Sequence, residues 1–134
     1  MKTVLVGGCF DILHFGHVHF LSEAKKHGDF LIVALESDLN IKKLKGVKRP
    51  FHNQEQRKKI LESLKFVDKV IILKDEMTDL DYEKMVTLIN PQIIAITKGS
   101  KTKTHAKKVG AKVIEIPKIK VPSTTQIAKL LKLE

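Results

Sequence analysis

Five short runs of valine, isoleucine and leucine, separated by segments with helical periodicity, constrain the fold of this 134-residue chain most strongly. The runs are almost continuously apolar, which is typical of parallel strands that are covered on both faces. Strands are predicted at residues 3–8, 29–36, 67–73, 92–97 and 112–117. Helices are predicted at residues 15–28, 53–64, 80–89, 104–110 and 123–134.

This alternation predicts one α/β domain over residues 1–134, built on a Rossmann-like, doubly wound sheet of about five parallel strands with helices on both faces. In such sheets, ligands bind beyond the carboxyl ends of the strands, where the strand order reverses. The one long irregular segment, 38–52, is basic and contains Gly46. We expect it to be a mobile loop over the site.

The charge of the chain indicates the sign of its partner but not its identity. The formal net charge is +10, and the excess is concentrated in residues 42–49 and 98–120. Such a surface attracts nucleic acid, anionic lipid or small polyphosphates. No apolar run approaches the length of about 20 residues that spans a bilayer, and the single cysteine, Cys9, cannot form an internal disulfide. A cytoplasmic protein without a membrane span is therefore expected.

A glycine pair and a histidine pair follow the first predicted strand. Gly7 and Gly8 leave its end without side chains, so that a phosphate could approach the backbone closely. His14 and His17 lie on one face at the start of the next helix, where the helix dipole is positive. Imidazoles there can donate hydrogen bonds to a phosphate. A metal-binding pair and chance helix caps remain alternative interpretations.

Other phosphate-binding patterns are absent or ambiguous. Neither GxGxxG nor GxxxxGK[ST] occurs, so the chain has no dinucleotide fingerprint and no P-loop. The stretch "PSTTQI" opens the last predicted helix with hydroxyl groups. These hydroxyls could bind phosphate together with the free N–H groups of the helix, or they could only cap it.

The stretch "GCFDILHFGH", residues 8–17, resembles the signature of the cytidylyltransferase-like nucleotidyltransferase superfamily, G-x-F-D-x-x-H-x-G-H. The similarity continues in "NIKKLKG" (40–46), which is similar to the lysine-bearing loop of the family. It also covers the segment 53–71, with its E-x-R helix and V-D-x-V-I strand, and the "STT" at 123–125. The resemblance implies the same Rossmann-like fold.

The resemblance further implies transfer of a nucleotidyl group from ATP or CTP to a phosphorylated acceptor, with release of pyrophosphate. It implies that the catalytic residues are His14, His17 and Lys45. It implies that the nucleotide is bound by Gly8, Cys9, Phe10, Asp11, Gly16, Lys42, Arg57, Lys98, Gly99, Ser123, Thr124 and Thr125. Mg²⁺ is expected with the triphosphate, and Asp11 either helps to place it or caps the turn. A homodimer is plausible by analogy with the family.

The acceptor is less sharply indicated. Glycerol-3-phosphate cytidylyltransferases usually carry an arginine where this chain has "KIKVPSTT" (118–125), and they tend to use a tryptophan that is missing here. The stretch "AITKGSKTK" (95–103) is more similar to heptose-phosphate adenylyltransferases, with Lys98 and Gly99 near the base. We expect a sugar phosphate, such as heptose-1-phosphate or glycerol-3-phosphate. The alternatives are an archaeal-type FMN adenylyltransferase and, in another class, a basic nucleic-acid-binding module.

Overall fold

A computed structural model describes residues 1–97, 109–119 and 124–132. Its five strands form one parallel sheet in the order β3-β2-β1-β4-β5. The strands are β1 Thr3–Gly8, β2 Phe30–Leu35, β3 Lys69–Ile72, β4 Ile93–Ile96 and β5 Lys112–Glu115. The predicted α/β fold with about five parallel strands is confirmed.

The helices of the described residues are α1 Phe15–Lys25, α2 Asp38–Lys45, α3 Gln54–Glu62, α4 Asp79–Ile89 and α5 Thr124–Leu130. Most of the helix predicted at 104–110 lies outside the described residues. Capping side chains begin four of these helices: His14 for α1, Ser37 for α2, Asn53 for α3 and Thr78 for α4. None of the helices in the described ranges combines the length and apolarity that crossing a bilayer requires.

The prediction of an irregular segment at 38–52 is wrong for its first half, which forms α2. The Ser37 hydroxyl accepts a hydrogen bond from the Asn40 N–H at 3.2 Å and so caps the helix. Asp38 in the first turn and three lysines in the last turn complement the helix dipole. Ile41 anchors the helix, since its side chain is fully buried. Lys45 is therefore the last residue of a helix rather than part of a loop.

The sheet is covered on both faces because side chains alternate along each strand. On β1, Val4 and Val6 pack in a cluster that includes Leu21 of α1 and Leu61 of α3. Leu5 points to the opposite face, in the cluster that contains Val86 of α4. The central strand β1 thus contributes side chains to both halves of the core, and its carboxyl end lies between β2 and β4.

Gly28, in the connection between α1 and β2, packs against the start of β1. A Cβ atom there would lie 2.6 Å from the Lys2 carbonyl oxygen and 2.7 Å from Val4 Cγ2. We expect Gly28→Ala to lower the free energy of unfolding by about 1–3 kcal/mol, because the overpacked backbone must shift. Urea unfolding followed by circular dichroism measures this change. Lys26→Ala, at an exposed position of the same connection, is the control and should stay within about 0.5 kcal/mol of wild type.

Candidate active site

A cavity of about 400 Å³ opens at the carboxyl ends of β1 and β4. Gly7 and Gly8 line it from β1, and Ala95 and Ile96 line it from β4. The chain passes from β1 outwards to β2 and β3 and then returns to β4 on the other side of β1. The cavity therefore lies where the strand order reverses, which is where ligands bind in open α/β sheets.

Two histidines of the cavity wall cap the amino end of α1. The His14 Nδ1 accepts a hydrogen bond from the Gly16 N–H at 3.0 Å, and the His17 Nδ1 accepts one from the His14 N–H at 3.3 Å. The two ring centroids are 4.0 Å apart. Because each Nδ1 accepts a backbone N–H, each neutral ring must carry its proton on Nε2. Both imidazoles are thus fixed as Nε2–H donors.

The environment keeps these two imidazoles neutral. The pKa of His17 is lowered to about 4, chiefly by burial. The electrostatic effects of the neighbouring His14 and of Lys45 lower it as well, and Asp11 has a smaller opposing effect. Burial and then Lys45 also lower the pKa of His14. At neutral pH the pair therefore offers uncharged donors, and Lys45, which lines the same cavity, supplies a positive charge beside them.

The cavity is also lined by apolar side chains and by a histidine that the sequence did not single out. Phe20 of α1 lies there with Pro117 and Ile119, which follow β5. His19 lines the cavity as well, although its position suggested only a surface or packing residue. The spacing held a signal, because His19 and Phe20 stand three and four residues after Gly16, on one helical face.

The predicted nucleotide-binding residues fall into three groups in the structure. Among those that line the cavity are Gly8, Cys9, Phe10, Gly16 and Thr125. Lys98, Gly99 and Ser123 lie outside the described residues, and Thr124 is the first residue of α5. Asp11, Lys42 and Arg57 do not line the cavity.

Arg57, predicted to face the nucleotide, has a fully buried side chain. Its Nη1 donates to the carbonyl oxygens of Cys9 at 2.8 Å and Glu36 at 2.9 Å. Its Nε donates to the His52 carbonyl at 3.0 Å, and its Nη2 donates to Asp38 Oδ1 at 2.6 Å. These bonds direct the guanidinium into the protein and away from the cavity. Lys42, which is exposed on α2, does not line the cavity either.

Asp11, expected either to help place Mg²⁺ or to cap the turn, does not line the cavity. Its carboxylate is buried, and it accepts hydrogen bonds from Arg49 Nε at 2.8 Å, Phe51 N–H at 2.7 Å and His52 N–H at 3.0 Å. Burial acts to raise the pKa of Asp11, but these donors outweigh it and lower the pKa. The carboxylate is therefore committed to the protein. Within the described ranges, no three His, Cys, Asp or Glu side chains are grouped to hold a metal.

A family model of cytidylyltransferase-like proteins matches residues 5–128. The chain belongs to this family. The family recognised from residues 8–17 is thereby confirmed, and the match extends over nearly the whole chain.

Curated relatives include the bifunctional protein HldE of Campylobacter concisus, which is 41% identical over 98% of this chain. HldE of Aliarcobacter butzleri is 48% identical over 69% of it. The chain spans only 27% and 19% of these two relatives.

Solved structures agree with the assignment. A lipopolysaccharide core biosynthesis protein from Thermoplasma volcanium is 30% identical to this member of the family. It superposes with a TM-score of 0.72, over 90% of this chain and 98% of its own. A pantoate-β-alanine ligase from Francisella tularensis, at 17% identity and a TM-score of 0.61, shares the fold over 90% of this chain and 60% of its own.

The histidine pair predicts a measurable dependence of stability on pH. The pKa of His17 falls from an ordinary value of 6.5 to about 4 in the folded protein. Between these two pH values the unfolded chain takes up a proton at His17 and the native protein does not, so the free energy of unfolding decreases as the pH falls. NMR titration should give a midpoint near 4 for His17, with the neutral ring protonated at Nε2.

His17→Gln is the matched control for this pH dependence, because glutamine at this helix position can still accept the His14 N–H but cannot titrate. Its free energy of unfolding should fall less steeply than that of wild type between pH 6.5 and 4. Equal slopes in the two proteins, or a His17 midpoint at its ordinary value, would contradict the depressed pKa.

Proposed function

We propose that this domain transfers the adenylyl group of ATP to a sugar phosphate, with heptose-1-phosphate as the first candidate, and releases pyrophosphate. The observation that carries the proposal is the pair of neutral Nε2–H donors at the amino end of α1, in the cavity where the strand order reverses. Gly7 and Gly8 line the same cavity at the end of β1, and the missing Cβ of Gly8 accommodates the Phe10 ring, which lies 2.8 Å from where that atom would be.

The lining of the cavity fits a polyanion. His14, His17 and Lys45 offer donors and a positive charge, and none of the described lining residues is acidic. The positive end of the α1 dipole points to the same place. An acceptor phosphate oxygen attacks the α-phosphorus in line, and the bond from that phosphorus to the pyrophosphate oxygen breaks. Positioned donors stabilise the charge that develops, and no covalent intermediate on the protein is needed.

Magnesium enters this scheme as part of the substrate. Asp11 accepts three hydrogen bonds from the protein, and none of the described residues that line the cavity is acidic. We therefore propose that Mg²⁺ arrives bound to ATP. Lys45 and the two imidazoles contribute to charge stabilisation at the reacting phosphorus, and Lys118 also lines the cavity.

The relatives favour a sugar phosphate as the acceptor. HldE proteins match this chain at 41–48% identity, and the Thermoplasma volcanium structure is that of a lipopolysaccharide core biosynthesis protein. The stretch 95–103, which is similar to heptose-phosphate adenylyltransferases, supports ATP as the nucleotide. The same relatives do not favour the FMN adenylyltransferase or the nucleic-acid-binding alternative.

A substrate panel tests the proposed reaction. ATP and CTP are each combined with heptose-1-phosphate, glycerol-3-phosphate and FMN in the presence of Mg²⁺, and pyrophosphate release is measured. We expect the highest kcat/KM with ATP and heptose-1-phosphate. Preference for FMN, or for CTP with glycerol-3-phosphate, would replace the proposed substrates, and the absence of turnover with every pair would reject the reaction.

Substitutions of two lysines of α2 distinguish the effect of the position of Lys45 on catalysis from the effect of positive charge in general. Lys45 lines the cavity, whereas Lys42 is exposed and does not. Lys45→Met should lower kcat about 10²–10³-fold, because it removes a positioned charge from the developing transition state. Lys42→Met removes the same charge from the surface and should change kcat less than about twofold. Similar losses in both variants would show that general charge, rather than the position of Lys45, supports the reaction.

A further inference from the structure

Helix α2, whose last residue is Lys45, is fastened at its beginning by Arg57. The buried guanidinium donates to Asp38 Oδ1, on the first residue of α2, at 2.6 Å. The same group donates to the carbonyl oxygen of Cys9 at 2.8 Å, in the turn between β1 and α1. One side chain therefore ties the start of α2 directly to the turn that leads into the histidine pair.

The chain that follows α2 is fastened to the same turn a second time. The buried Asp11 carboxylate accepts a hydrogen bond from the Arg49 side chain at 2.8 Å. It also accepts the backbone N–H groups of Phe51 at 2.7 Å and His52 at 3.0 Å. The segment 38–52 is thus attached to the β1–α1 turn at both of its ends, by two side-chain pairs that lie 38 and 19 residues apart in sequence.

Lys45 lies between these two attachments. Gly46 ends α2 with a φ of 110°, a conformation that favours glycine. Lys45 lines the cavity with the two histidines. It belongs to a helix, however, and the hydrogen bonds between strands do not fix the position of that helix. We propose that Asp38–Arg57 and Asp11–Arg49 form a two-point clamp that positions Lys45 beside His14 and His17.

This clamp gives Asp11 and Arg57 a role that differs from contact with the nucleotide. Both side chains are buried behind the cavity wall, and all the contacts described for them above are with the protein. They are positioning residues, which act on the substrate through Lys45 and the turn. The turn itself is strained, since Phe10 and Ile12 have φ values of 46° and 54°, and such conformations persist only where surrounding contacts hold them.

The position of Lys45 can be measured without substrate, because its charge contributes to lowering the pKa of both histidines. Histidine NMR titrations of the whole protein report that contribution. Asp38 is the attachment to change, because it is 41% exposed and its replacement need not disrupt the core. Asp38→Ala removes the acceptor for Arg57, while Asp38→Asn removes the same charge and retains an acceptor oxygen.

We expect Asp38→Ala to raise the pKa of His14 and His17 towards the values in Lys45→Met, and Asp38→Asn to stay near wild type. The sign is diagnostic, because loss of a negative charge at Asp38 would by itself lower the pKa of an imidazole. Added to Lys45→Met, Asp38→Ala should raise neither pKa further, since the charge it repositions is gone. Asp38→Ser, too short to reach Arg57, is measured in the same way and replaces the alanine variant if that variant does not fold.

Glu76→Gln is the matched control, because the partner of Glu76 lies on the same helix. Glu76 pairs with Lys43 of α2 at 3.3 Å, and both side chains are largely exposed, so this pair lies outside the clamp. Its loss should leave both histidine pKa values unchanged. The clamp is rejected if Asp38→Ala and Asp38→Ser leave the two pKa values unchanged or lower them, or if the rise persists without Lys45.

The consequence of the clamp for catalysis rests on the proposed function, but the titration does not. Asp38→Ala should lower kcat/KM for pyrophosphate release by roughly ten- to a hundredfold through misplacement of Lys45, and Asp38→Asn should recover most of it. If wild type shows no transfer with any substrate pair, the proposed function fails while the pKa values still decide on the clamp. If transfer is present and the pKa values do not respond, only the clamp fails.

Discussion

The buried guanidinium of Arg57 holds together the parts of the structure that surround the cavity. A fully buried positive charge is costly unless hydrogen bonds and opposite charge compensate for it. Arg57 obtains this compensation from the carbonyl oxygens of Cys9, Glu36 and His52 and from the carboxylate of Asp38. These partners belong to three stretches of the chain, namely the β1–α1 turn, residues 36–38 and the residue before the cap of α3, so the arginine can be buried only when all three are assembled. The geometry of the cavity edge therefore follows from satisfying one charge.

Uncharged histidines are well suited to a site that already contains a lysine. Protonated imidazoles would repel each other and Lys45, and burial would make their charge more costly still. As neutral Nε2–H donors, His14 and His17 can donate hydrogen bonds to an anion without adding positive charge beside Lys45. Their Nδ1 atoms are held by backbone N–H groups, so protonation of either ring would also break a cap of α1. The helix cap and the chemistry of the site thus require the same tautomer.

Sequence patterns were sufficient for the sheet and for the location of the site. Nearly continuous apolar runs predict strands that are covered on both faces, and the glycine and histidine pairs after the first run indicate the cavity wall. The patterns were insufficient for segment 38–52, because a lysine-rich stretch ending in Gly46 resembles a loop until Ile41 is known to be buried. They also could not show that Arg57 is buried, or that Asp11 meets Arg49 across 38 residues, because such long-range pairs leave no local periodicity.

The match at residues 8–17 also contains residues with two different physical roles. Gly8, His14, Gly16 and His17 line the cavity, and under the proposed function they lie next to the ligand. Asp11 lies within the same ten residues, yet its carboxylate is buried among protein donors. Both kinds of residue are restricted to few amino acids, one by contact with a ligand and the other by the need to satisfy buried partners. A sequence signature therefore locates such a site, whereas burial and hydrogen bonding identify which of its members can touch the substrate.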